Sequence, residues 1–63
     1  MKIEEVKKVI AYKKLVNYKD MTFTVNSCTL RLKDGKWYYT VELQDLKANS
    51  VIQALMENVE VKE

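Results

Sequence analysis

Cys28 is the only strong nucleophile in this chain of 63 residues, and there is no histidine to activate it. A cysteine nucleophile works as a thiolate, made by a neighbouring base or an electropositive setting. The strand pattern worked out below turns Cys28 inward beside Leu30 and Val41, where it reads as a small hydrophobe. Paired carboxylates are the next chemistry to consider, and the nearest two on one strand are Glu42 and Asp45. Their odd spacing puts them on opposite faces of a pleat, so they cannot share acid and base roles on one substrate. One cysteine and no histidine leave zinc short of ligands, and no intrachain disulfide can form. There is no glycine-rich phosphate loop, Asp-rich calcium loop or hydrolase-type serine motif. The expectation is a non-enzyme with no catalytic, cofactor-binding or metal-binding residue.

The stretch Cys28 to Val41, CTLRLKDGKWYYTV, carries the remaining chemistry. Asp34-Gly35 suits a two-residue hairpin turn that needs positive φ. Lys33 then faces Lys36, followed outward by Leu32 with Trp37, Arg31 with Tyr38, Leu30 with Tyr39, Thr29 with Thr40 and Cys28 with Val41. Opposed residues share a face, so Leu30, Leu32, Trp37, Tyr39, Cys28 and Val41 form one side. That side is expected to enter the core, with Trp37 packed in the core or at its rim. The other side presents Arg31, Lys33, Lys36, Tyr38 and Thr40 as a candidate binding face. Lysines there could take phosphates while a ring stacks on a base. Arg/Tyr and Thr/Thr are also ordinary cross-strand pairs, worth roughly 0.2–1 kcal/mol each without any ligand.

The elements that hold this hairpin follow from periodicity. Ile3, Val6, Val9 and Ile10 lie on one arc at helical spacing, which predicts a short amphipathic helix over about 2–13. Glu4 and Glu5 in its first turn and Lys13 and Lys14 near its end complement the helix dipole. Strands are expected at about 15–17, 21–32, 37–46, 51–55 and 59–62, with a turn at Tyr18 to Asp20 and a polar turn at Lys47-Ala48-Asn49-Ser50. In the second strand Phe23 and Val25 are out of phase with Cys28, Leu30 and Leu32. A β-bulge near Asn26 or Ser27 would turn both sets inward and bend the strand. Residues 50–58 suit either a helix behind an Asn49 or Ser50 N-cap or a strand ending in a tight turn at Met56-Glu57-Asn58. The strand is preferred.

In order, these elements make an α+β domain: a short N-terminal helix and a bulged antiparallel meander over residues 1–63. This arrangement resembles an SH3-like small barrel, an architecture that hosts peptide binders, nucleic-acid binders and subunits without a groove. The alternative is a helix, a three-stranded antiparallel sheet and a C-terminal helix packed on one sheet face.

A chain this short sits near the lower limit for a self-sufficient core, and 48% apolar residues cannot all be buried in it. Apolar surface left over, around the helix or at Tyr12 and Tyr18, would suit an oligomer or partner interface. The apolar runs fall far short of the ~20 residues that cross a bilayer, and Met1-Lys2-Ile3-Glu4-Glu5 lacks a signal-peptide core. The expected location is cytoplasmic, with no membrane partner. The net charge of +2 divides unevenly. Residues 1–40 hold nine Lys/Arg against four acids, a charge of +5, and residues 41–63 hold two against five, a charge of −3. Such a split could steer an anionic partner or let two halves attract, within one chain or across a homodimer. The preferred functional reading is a small interaction protein that binds a protein partner or itself. Chains of this type look like accessory proteins of phages or mobile elements. The competing reading is a small nucleic-acid-binding barrel, and a third is a structural subunit stable only inside an assembly.

Overall fold

The computed structural model describes residues 1–47 and 49–62. Helix α1 (Ile3–Ala11) is followed by strands β1 (Val16–Tyr18), β2 (Met21–Lys33), β3 (Lys36–Asp45) and β4 (Val51–Leu55), a 3-10 turn at Met56–Asn58, and β5 (Glu60–Val61). The strands form one antiparallel sheet in the order β4-β3-β2-β1-β5, open rather than closed into a barrel. The expected α+β class is present. The alternative with a C-terminal helix is overturned, because residues 51–55 pair with β3 from Gln44↔Val51 to Thr40↔Leu55. The polar turn expected between β3 and β4 includes Ala48, which lies outside the described residues.

Helix α1 buries Val6 and Val9 against the sheet, half-buries Ile10 and leaves Ile3 exposed. At its start the Glu5 carboxylate accepts the Lys2 backbone N–H at 3.0 Å, half of a capping box, since Lys2 has no side-chain acceptor to return the bond. The helix stops two residues before the expected end. Lys13 takes a left-handed φ of 51° and donates to Ile10 O at 3.3 Å, while Lys14 donates to Val9 O at 3.0 Å. These two bonds are a Schellman ending, here with lysine where glycine is usual.

Two tight turns organise the meander. Lys19 and Asp20 (φ 48° and 62°) join β1 to β2, and Asp34 and Gly35 (φ 52° and 77°) join β2 to β3. Both pairs have the positive φ values that match the right-handed twist of flanking strands. The expected hairpin register holds at every pair from Lys33↔Lys36 to Cys28↔Val41. The expected bulge is also present: Val25 faces Leu43 and Ser27 faces Glu42, leaving Asn26 as the extra residue. Its exposed amide donates to Glu42 Oε1 at 3.2 Å and Gln44 Oε1 at 3.0 Å, bracing the bend.

The core sits where the bent sheet meets the helix. Val6 and Val9 from α1 meet Val16, Phe23, Val25, Val41, Leu43, Ala54 and Val59, all buried. β5 closes the far side through Val16↔Val61 and Asn17↔Glu60, with a further bond from the Lys62 N–H to Leu15 O at 2.9 Å. The Met1 nitrogen donates to the carbonyls of Met56 and Val59, setting the start of the helix over the 3-10 turn.

Candidate functional site

β2 and β3 are much longer than the strands beside them. β1 pairs with β2 only at residues 21–23, and β4 pairs with β3 only at residues 40–44. The distal part of the hairpin, from about Thr29 to Thr40, therefore projects from the body as a two-stranded arm. The molecule is correspondingly elongated, 36 × 23 × 19 Å.

One face of the arm gathers the five residues singled out from the sequence. Arg31 pairs with Tyr38, Lys33 with Lys36, and Thr29 with Thr40, so all five project to the same side. Arg31, Lys33 and Lys36 are exposed, whereas Tyr38 and Thr40 are half-buried.

The opposite face departs from expectation. Leu30, Leu32 and Trp37 were expected in or around the core, yet they are 51%, 57% and 65% exposed. Their register and face are as expected. What fails is the cover: α1, β1 and β4 end before reaching them, so the apolar face of the core continues outward onto the arm and meets water. A signal for this lay in the strand lengths. A 13-residue strand flanked by a 3-residue neighbour must overhang it. Of the other aromatic candidates, Tyr12 is 73% exposed just past the helix. Tyr18 is half-buried against Phe23, its ring centroid 6.4 Å away, with Lys19 Nζ 5.4 Å from the Tyr18 ring centroid.

Cys28 marks the junction between body and arm. It is half-buried against the core, and desolvation raises its pKa above the ordinary 9.0. A neutral thiol in that setting packs rather than attacks. Glu42 and Asp45 fall on opposite faces and do different work. Asp45 accepts the backbone N–H groups of Asn49 at 2.8 Å and Ser50 at 3.3 Å, and the Ser50 hydroxyl at 3.4 Å, so its carboxylate organises the β3–β4 connection. Among the described residues no three His, Cys, Asp or Glu side chains gather into a metal site. Nor is any helix among them long and apolar enough to cross a membrane.

Two depressions bear on function. The larger, about 600 Å³, lies at the β1–β2 turn end of the molecule, where Lys19 and Lys62 are set against Asp20 and Glu60. Its charges cancel, and it is wide and shallow. The smaller, about 200 Å³, lies at the base of the arm between Trp37, Tyr38 and Tyr39 on one side and Leu55, Met56 and Glu57 on the other. No local sequence signal brings residues 55–57 to the arm, because that placement depends on where β4 stops along β3. No protein-family model, curated protein or solved structure matches the chain.

Proposed function

We propose that this chain is a small non-enzymatic interaction protein whose hairpin arm binds another macromolecule, a protein partner or a second copy of itself. One observation carries this reading: Leu30, Leu32 and Trp37 form a contiguous apolar strip on a projecting ribbon, exposed to water in the isolated chain. Burying such surface contributes about 25 cal/mol per Å², and aromatic anchors commonly dominate interfaces. The strip adds nothing comparable to the stability of the free chain. The half-buried, proton-retaining Cys28 further supports a non-catalytic role. We read the strand order, the bulged β2 and the 3-10 turn before β5 as an SH3-like sheet that curls without closing.

The test is a double variant, Leu32→Asp with Trp37→Asp, whose circular dichroism and melting should match the parent because both residues lie outside the core. Affinity capture from the source cells, with light scattering for self-association, should show a reproducible partner or dimer that the variant loses. Equal capture by both proteins would sink the reading.

A second reading rests on the other face, where Arg31, Lys33, Lys36, Tyr38 and Thr40 converge on one accessible side. A nucleic-acid binder using that face would lose affinity steeply with added salt. Arg31→Glu with Lys33→Glu should then abolish binding to a single-stranded oligonucleotide; unchanged affinity removes this reading.

A further inference from the structure

We infer that the open edge of β2 from Cys28 to Leu32 pairs, antiparallel and in one register, with the same edge of a second copy of this chain. This rests on the interaction role proposed above and names the partner. The residues flanking a two-residue hairpin turn form a hydrogen-bonded pair, so Lys33 and Lys36 direct their backbone groups at each other. Pairing then alternates without a shift as far as Ser27↔Glu42, which turns the N–H and C=O groups of Cys28, Leu30 and Leu32 away from β3. β1 occupies that edge only up to Val16↔Phe23; its line extended would bring Lys14 opposite Val25, where the chain has already turned off towards the helix at Lys13. Cys28, Leu30 and Leu32 have no backbone bond on that side among the described residues, and Asn26 to Lys33 are exposed apart from the half-buried Cys28.

This edge is self-complementary in a single register. With Leu30 on a twofold axis, Leu30 faces Leu30, and Cys28 of each copy faces Leu32 of the other. Each of these pairs closes two backbone bonds, and their side chains all join the apolar face of the arm. On the other face Arg31 meets Thr29 and Lys33 meets Ser27, so no cation directly opposes another. Overlapping the copies by two more residues would drive the second copy's turn into Val16, which sits opposite Phe23. Overlapping them by two fewer would set Arg31 against Arg31 and leave Cys28 opposite the turn. The ends are also matched in charge. Lys33 of the second copy would stand beside the small Ser27, two strand spacings or about 10 Å from the backbone of Glu42 on the same face, a gap the two long side chains span. Asp34 of the second copy would reach the bulge, where Ile10, Lys13, Val25 and Asn26 line a depression of about 200 Å³ and Lys13 can receive its charge. The twofold repeats every contact, as a closed dimer requires.

Sedimentation over a concentration series should show a reversible monomer–dimer equilibrium. Amide exchange should slow with concentration at Cys28, Leu30 and Leu32 and stay unchanged at Thr29 and Arg31, whose N–H groups already bond β3. Cross-linking in a glutathione redox buffer, on a Cys28→Ala background, reads the register. Leu30→Cys places its Cα about 5.5 Å from its own copy, whereas the two copies of Leu32→Cys stand about 13 Å apart along the strands. The first should form a disulfide dimer at least tenfold faster. Leu30→Lys should weaken the dimer at least tenfold with circular dichroism unchanged, and Trp37→Ala less than threefold, because Trp37 lies one strand farther from the axis. A chain that stays monomeric at millimolar concentration overturns the proposal. So does a dimer whose edge amides stay unprotected, or one more sensitive to Trp37→Ala than to Leu30→Lys, since either means two apolar faces stacked without strand pairing. Equal cross-linking of the two cysteine variants overturns it as well. If no dimer forms while Leu32→Asp with Trp37→Asp still loses a captured protein, the interaction role survives and only self-pairing falls. If neither a dimer nor a captured protein is found, the interaction role falls too.

Discussion

The two halves of the β2–β3 hairpin are built by one rule and have opposite fates. Below the bulge, Phe23 and Val25 share their face with Val41 and Leu43, and all four are buried. Above it, where the extra residue Asn26 has shifted the phase of β2 by one, Leu30, Leu32 and Trp37 occupy the same face and stand in water. Alternation decides which way a side chain points; only the neighbouring elements decide whether anything covers it. The body half spends its apolar surface on folding, and the arm half keeps its surface available.

The sharpest way to break this comparison is one truncation applied to both halves. Leu43→Ala, at a fully buried position, should cost about 2–5 kcal/mol through lost burial and a cavity, enough to unfold much of a chain this small. Leu32→Ala should cost under about 0.5 kcal/mol. Urea denaturation followed by circular dichroism measures both. A similar loss at the two sites would mean the arm is packed in solution, and the distinction between the halves would fail.

Deleting Asn26 probes the joint between them, with an intermediate effect. Without the extra residue, Phe23, Val25, Cys28, Leu30 and Leu32 fall into a single alternation, so every side chain keeps its face. The bend is lost instead, and β2 can no longer serve β3 on one side and the core under α1 on the other. The expected cost is about 1–3 kcal/mol, in the range for a disrupted backbone feature. NMR should show the Cys28–Val41 and Val25–Leu43 pairs retained and the contacts from α1 to β2 weakened.

The smallest effect belongs to Cys28 at the boundary. Its pKa is raised in the folded chain by desolvation, so folding favours the protonated thiol. The associated stability is complete below the unfolded-state pKa and lost as pH rises through the folded one. Stability should decline slightly above about pH 9, and Cys28→Ala should remove that component.

Much of the fold was legible because it depended on local signals. The Asp34-Gly35 turn and the alternation around it fixed six hairpin pairs, and the phase break between Val25 and Cys28 located the bulge. The helix end was missed because Lys13 adopts a left-handed conformation without the glycine that announces one. The candidate site was half legible. Arg31, Lys33, Lys36, Tyr38 and Thr40 share a face as expected, since that follows from register. The exposure of Trp37 and the meeting of Tyr39 with Met56 and Glu57 were not legible. Both depend on where β1 and β4 stop, and a strand's length is set by packing across the sheet more than by its own residues.

β5 has a consequence for the order in which the molecule comes together and comes apart. The hairpin joins residues a few positions apart in sequence, so its loop-closure entropy is small and it can form on the microsecond scale. β5 has two residues, and its pair Val16↔Val61 joins opposite ends of the chain. That contact forms against a large closure entropy and rests on a short ladder. Transient opening should therefore begin at β5, lifting Val59 and Val61 away from Val16. Exchange at the Asn17 and Lys62 amides, which face across the β1–β5 ladder, would report that opening while Thr29 and Thr40, a hydrogen-bonded pair of the hairpin, stay protected.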